Sequence, residues 1–418
     1  MLTVISNAWA LLLGMLLLMV GNGLQGTLLG VRGEIENFST LQMSVVMSAY
    51  FAGFLVSSQV TPGLIRRVGH VRVFAALAST ISAVLILFPL LNNPYAWIIG
   101  RVIVGFGFCG VYIVAESWLN NAATNETRGQ TLSAYMIVQM AGVVAAQGLL
   151  LMADPAEYTL FIVISVLVSL SFLPILLSIS PTPAFDTTKP MSLAQLIKIS
   201  PLGCVGMFLL GGVFAAQFGM SAVYGVEAGL SVAQISIFVS SFYVGALVLQ
   251  YPLGWMSDRM DRRSLIMFVA AATALGAALA AMMGSVFVVL CAAAFLIGGM
   301  SNPLYSLLIA HTNDFLEPDD MAAASGGLLF INGVGAVSGP LITGWAMSAL
   351  GSWGFFLFIG VLMTGLAGYA AYRRTQRAAI PVEDTMTYAP VSPSSTSVAV
   401  EFAQEYAVAE AEDAEAAQ

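Results

Sequence analysis

The chain is short of charge, histidine, cysteine and lysine, and each shortage removes a class of function. Asp, Glu, Lys and Arg make up only 9% of its 418 residues, where ordinary soluble domains carry about 25%. So few charges could not cover a globule of this size with polar surface, and the surrounding solvent must be lipid. The two histidines, His70 and His311, fall in expected loops or helix ends. The three cysteines, Cys109, Cys204 and Cys291, sit inside apolar runs. An odd, scattered set gives neither a disulfide framework nor metal-ligand spacing, and reads as small apolar packers. Without a His/Cys/carboxylate cluster or a nucleophile–base pair, no metal, no cofactor and no enzymatic activity is expected. The only lysines, Lys189 and Lys198, follow Thr188 and Ile197, so there is no Gly-Lys-Ser/Thr phosphate loop and no ATP drive from this chain. No charged ring or filter-like segment marks a channel, and no nucleic-acid partner is expected.

What is present is apolar length. Hydrophobic residues make up 59% of the chain and its mean hydropathy is +0.89. A membrane span needs about 20 apolar residues. Twelve stretches qualify: 8–29, 41–64, 72–91, 95–118, 130–152, 158–179, 201–224, 233–256, 264–283, 286–310, 322–347 and 353–372. The first has no basic residue before Arg32 and does not read as a cleaved signal peptide. One set of loops and ends holds Arg66, Arg67, Arg72, Arg128, Lys189, Lys198, Arg259, Arg262, Arg263, Arg373, Arg374 and Arg377, while the opposite set holds only Arg32. By the positive-inside rule, both termini and the proline-punctuated 180–200 linker are expected in the cytoplasm of a bacterial inner membrane.

The net charge of −8 is local. After Arg377 come eight acids, from Glu383 to Glu415, and no base, which leaves 14 acids against 14 bases in the rest. This 373–418 tail reads as a solvated, largely disordered cytoplasmic end. A short induced helix around Val398, Phe402 and Tyr406, with a regulatory role, is the alternative.

The chain is also written twice. Ser48-x4-Gly53-x-Leu55-Val56 recurs 192 residues on as Ser240-x4-Gly245-x-Leu247-Val248, and Gln25, Gln42, Arg67 and Gly107 return at the same offset as Gln217, Gln234, Arg259 and Gly299. Residues 1–179 and 201–372 therefore form two six-helix halves, far too long for solenoid repeats. A long apolar doubled chain marks a secondary transporter whose halves rock about a shared site.

Two basic turns carry a resemblance. Pro62-Gly63-Leu64-Ile65-Arg66-Arg67-Val68-Gly69-His70-Val71-Arg72 follows the second span, and Gly254-Trp255-Met256-Ser257-Asp258-Arg259-Met260-Asp261-Arg262-Arg263 follows the eighth. Both resemble the signature loop of the major facilitator superfamily, Gly-x-x-x-Asp-Arg-x-Gly-Arg-Arg. Arg101-x3-Gly105-x-Gly107-x2-Gly110 looks like that family's fourth-span motif, and Gly335-x3-Gly339-Pro340-x3-Gly344 adds a third likeness. Ala115-Glu116-Ser117-Trp118-Leu119 with Arg128-Gly129-Gln130 is similar to a YcaD-like bacterial branch. The resemblance covers about residues 1–375 and implies an all-α membrane protein, 12 transmembrane helices in two pseudo-symmetric six-helix bundles.

The turns are expected to act as a cytoplasmic gate, their charges pairing across the halves. Asp258 should approach the start of the fifth span near Arg128. Arg66, standing where the signature has its acid, should meet Glu317, Asp319 and Asp320; Glu116 should accept from Arg67 or Arg72. Alternatively these arginines only set topology and bind anionic lipid heads.

In the resembled fold the first, fourth, seventh and tenth spans line a central cavity, with help from the second, fifth, eighth and eleventh. The candidate lining is Asn22, Gln25, Arg101, Tyr112, Gln139, Gln217, Tyr224, Asn302, Tyr305 and Asn332. Such amides and phenols suit a neutral or polar organic solute, or simply bond helix to helix. Gln25 and Gln217, retained by the repeat, are the better pair to flank a two-fold site. The resemblance implies a structural or proton-linked role for Arg101, with outward snorkelling as the alternative. No Asp or Glu lies mid-span, so a coupling proton or ion would need an end-located group such as Glu116. These residues point to a monomeric secondary carrier of a small organic solute, with a facilitative uniporter or an efflux carrier as the alternative. A non-transporting membrane sensor or scaffold is more distant.

Overall fold

The computed structural model describes residues 2–124, 127–174, 191–378 and 380–416, and among them there is no strand. Helices α1 (Leu2–Ile35), α2 (Thr40–Val68), α3 (His70–Leu87), α4 (Pro94–Ala122), α5 (Arg128–Leu149) and α6 (Thr159–Ser171) build the first half. After a short α7 (Leu193–Ile199), α8 (Pro201–Ala215) runs through a π-turn at Ala216–Met220 into α9 (Ser221–Glu227). The second half continues with α10 (Val232–Ser257), α11 (Arg262–Met283), α12 (Phe287–Asn313), α13 (Pro318–Leu350) and α14 (Gly354–Gln376), and α15 (Ser397–Ala416) is the last described helix. Among the described residues, eleven helical segments are long and apolar enough to cross a membrane. The expected span at 158–179 is seen as the shorter α6, and its last residues lie outside the described ones.

The two halves share local chemistry and packing. Ser39 and Gln42 form a capping box that starts α2, and Ser231 and Gln234, 192 residues on, form the same box at α10. In the first half α2 packs on α4, α1 on α5 and α3 on α6; in the second, α10 packs on α12, α8 on α13 and α11 on α14. Glycine permits the closest of these approaches. A Cβ at Gly53 would fall on the Val102 carbonyl, and one at Gly105 on the Tyr50 carbonyl. Gly245 and Gly298 repeat the arrangement against Phe295 and Phe242. Gly105 thus corresponds to Gly298, so the structural offset on this helix is one residue more than in α2.

The halves meet at the end away from the basic turns. Ser48 Oγ donates to the Val337 carbonyl at 2.6 Å, Thr40 Oγ1 to Glu227 at 3.3 Å, and Ser236 Oγ to the Gln147 carbonyl at 2.5 Å. At the basic end they are wedged apart by the tail. This corrects the expectation of a solvated tail: Tyr388, Val391, Thr396, Phe402 and Gln404 are buried, and α15 packs on α4, α5 and α13. In α15 the exposed Glu405 and Glu410 stand opposite buried Phe402, Ala403 and Ala407, so the acidic composition hides an apolar face.

Candidate functional site

Between the halves lies a narrow cavity of about 40 Å³. Asn22 of α1 and Tyr50, Phe51, Phe54 and Ser58 of α2 form one wall. Phe214 of α8, Phe218 of the π-turn, and Leu329, Asn332 and Ala336 of α13 form the other. The π-turn widens the helix by one residue at this level, directing Phe218 into the cavity while Gln217 Nε2 reaches Ser301 Oγ at 2.9 Å. Phe218 lies 5.7 Å from the Tyr50 ring and 6.1 Å from Phe51, so the aromatic wall joins both halves. One of these contacts is tilted and the other edge-on, the latter a geometry that aromatic pairs favour.

A buried polar relay stands behind the first wall. Asn22 Nδ2 donates to Tyr112 Oη at 2.7 Å, while its Oδ1 accepts from Gln25 at 3.0 Å and from Tyr50 Oη at 3.2 Å. Gln25 accepts in turn from Arg101 Nη1. Arg101 is fully buried, with its guanidinium carbon 4.6 Å from the centre of the Tyr50 ring and Nη2 against Met47 Sδ at 3.6 Å. No carboxylate pairs with it among the described residues. It does not snorkel; it is held by an amide, a ring and a thioether. Tyr50 links the relay to the cavity, since its ring faces the guanidinium and also lines the space.

Of the ten expected lining residues, Asn22 and Asn332 line this cavity. Gln25, Arg101 and Tyr112 support it from behind. Gln217 is turned to Ser301, so the two glutamines retained by the repeat do different work. Gln139 accepts from Ser394 Oγ of the tail at 3.4 Å. Tyr224 belongs to an aromatic cluster with Phe238, Phe355 and Phe356. Asn302 bonds the Gly298 carbonyl at 3.0 Å within its own helix, and Tyr305 is buried away from the cavity lining. The aromatic lining was missed because apolar rings are unremarked in apolar helices. One signal was available: Tyr50-Phe51 returns, 192 residues on, as Phe242-Tyr243.

The basic end also differs from expectation. Arg67, Arg72 and Arg259 are exposed, and Arg259 stacks on Trp255 with its guanidinium carbon 4.4 Å from the ring centre. Glu116 is buried and receives Tyr135 Oη at 2.8 Å and the Thr396 backbone N–H at 3.2 Å, together with the Thr396 hydroxyl, rather than Arg67 or Arg72. Arg128 pairs with Glu405 at 3.0 Å, not with Asp258. Asp258 accepts the Tyr388 N–H at 2.8 Å and lies 3.6 Å from Arg262. Arg66 and Asp320 are exposed and form no ion pair with each other, and the side chain of Asp319 lies outside the described residues. The halves stand apart here, and Arg128 and Asp258 each pair with other groups instead of with one another. The tightest pair, Arg262 with Asp314, was not anticipated. It also binds the Met386 carbonyl and N–H.

Outside the spans, burial raises the carboxyls of Asp258 and Asp314 above the ordinary range, with Arg262 opposing the shift in both. Burial and the adjacent Glu405 push Glu401 up to about 7.

Known proteins agree with this architecture. The uncharacterized MFS-type transporter YcaD of Escherichia fergusonii is 25% identical over 339 residues, covering 81% of this chain and 88% of the relative. Its Escherichia coli counterpart is 26% identical over the same length. Among solved structures, a mutant of the nucleoside transporter NupG superposes with a TM-score of 0.74 at 15% identity, covering 88% of this chain and 99% of that one. An inward-facing, unoccupied bacterial homolog of the human lysosomal transporter Spinster gives 0.66 at 14% identity, covering 96% and 97%. The sequence profile of the Major Facilitator Superfamily matches residues 11–225 and 202–398. With two packed six-helix halves around a shared cavity, the chain belongs to the Major Facilitator Superfamily and is a multi-pass membrane transporter.

Proposed function

We propose that the chain is a secondary transporter of a small, uncharged, flat organic solute in a bacterial inner membrane, working by alternating access with the basic turns in the cytoplasm. The observation that carries this reading is the cavity wall: one amide from each half, Asn22 and Asn332, among five aromatic rings that come from both halves. Amides donate and accept without charge, and rings stack a planar group. The nearest cation, Arg101, is covered by Tyr50 and Gln25, which leaves the lining itself neutral. The Ser48–Val337 and Thr40–Glu227 contacts close the periplasmic end in this state, and rocking would exchange them for cytoplasmic contacts.

The carboxylate placed for proton coupling is Glu116, buried at the cytoplasmic end of α4. Without a mid-span acid, facilitated uniport is the second reading.

The test is a thermal-shift screen of purified protein against nucleobases, nucleosides, aromatic metabolites and drugs, repeated with Phe218→Ala and Asn332→Ala. A substrate stabilises the parent, and at 100 times its Kd by about 2.7 kcal/mol. Both variants should lose that shift. Stabilisation only by strongly cationic or anionic compounds would overturn the reading.

A further inference from the structure

We infer that residues 385–410 are an autoinhibitory plug, which docks between the chain's own halves and locks the carrier open on its basic side. The proposal rests on the alternating-access reading above. The tail is seated on both halves at once. In the first half Thr396 is bonded to buried Glu116, Ser394 to Gln139, and Glu405 to Arg128, whose guanidinium carbon also lies 5.7 Å from the Phe402 ring centre. In the second half Tyr388 N–H donates to Asp258, its hydroxyl receives Gln250 Nε2 at 2.7 Å, and Ser306 exchanges two hydrogen bonds with Val391 at 2.8 and 2.9 Å. Such an arrangement holds only while the halves stand apart at this end.

Two features make the segment more than a packed tail. First, Pro393 and Ser394 form part of the cavity lining itself, so the exit of the solute site is filled by this chain. Second, the tail takes the groups on which closure of the basic end depends. Asp258 and Arg128, on turns of opposite halves, are each engaged by the tail, one by Tyr388 and the other by Glu405. Glu116, which lies buried between α4 and α5, spends its acceptors on Thr396 and Tyr135. A docked tail therefore both blocks the cavity and prevents the halves from meeting, and its release permits both movements.

The experiment uses full-length protein in cells, with Cys109, Cys204 and Cys291 replaced by Ala. A short bis-thiosulfonate reagent should join Gln139→Cys to Ser394→Cys. Separately, Ser48→Cys, buried at the closed end, is labelled with a membrane-impermeant maleimide from outside. Truncation after Pro381, or Thr396→Asp facing Glu116, should speed that labelling by about tenfold or more, the effect of losing a charge-assisted hydrogen bond or a larger set of contacts. Gly344→Trp, which wedges α13 off Ser44, serves as the reference for an opened outer end. No cross-link overturns docking. Unchanged labelling in both tail variants, with fast labelling in Gly344→Trp, overturns the lock while leaving rocking intact. Slow labelling in all of them overturns alternating access and the plug with it.

Discussion

Gly105→Ala is the sharpest probe of how the helices set the cavity. The Cα of Gly105 rests on the Tyr50 carbonyl, and an added Cβ would overlap that oxygen. Neither atom is the end of a flexible side chain, so α2 and α4 must separate. Overpacking of this kind costs about 1–3 kcal/mol. Separation also moves Tyr50, whose ring covers Arg101 and lines the cavity. Gly298→Ala, against Phe242, should cost the same by the internal symmetry. The controls are Gly365→Ala and Gly368→Ala in α14, where nothing lies near the new atom. There alanine should stabilise the helix by up to about 1 kcal/mol. Each kcal/mol is worth about 2–4 °C for a body of 150–250 residues. Melting of purified protein should therefore fall by several degrees in the first pair and hold or rise slightly in the second. Equal melting in all four would refute the claim that backbone contact at these glycines sets the spacing.

Further outcomes follow from the buried charges. Arg262→Ala leaves Asp314 buried and unpaired, and should destabilise the protein by about 3–5 kcal/mol, whereas Arg262→Met with Asp314→Leu should recover most of that loss in the same melting assay. Arg101→Met loses a charged hydrogen bond of about 1.5–3 kcal/mol and a cation–π contact of up to about 2. It also removes the several-kcal/mol desolvation of a buried cation, so its melting should stay near the parent while solute binding falls; Arg101→Lys, which keeps the charge without the planar fork, should melt lower. Docking of the tail should depend on pH through Glu401, which faces Glu405 and the Ser325 hydroxyl. Its value is raised from 4.5 to about 7 in the docked tail, so docking takes up a proton. Docking is then strongest below pH 4.5, weakens as pH rises to about 7 and is level above it. A spin label on Val408 should grow more mobile across that window, and Glu401→Gln should flatten the change.

Much of the plan could be read from the residues alone. Apolar runs of membrane-spanning length fix where the chain crosses, because hydrocarbon leaves backbone groups no partner but the helix. The repeat exposed the two halves, down to a capping box retained at Ser39–Gln42 and Ser231–Gln234. Buried polar residues marked the cavity region, and Asn22 and Asn332 do line it. Which of those residues face the space was not legible, because helix rotation of one position turns a side chain away. Gln25 and Gln217 match in sequence, yet the π-turn sends one to Ser301 while the other holds Arg101.

Local composition and periodicity determined the spans, the duplication and the imbalance of basic turns, since each needs only neighbours along the chain. Partnership across the halves was decided by the tertiary structure. Glu116 with Thr396, 280 residues apart, and Arg128 with Glu405 are invisible in any local window. Composition read the tail as an acidic, solvated end, because its charges are counted wherever they point. The folded chain offers it a half-open cleft of matching polar groups, and that cleft exists only after both halves have formed.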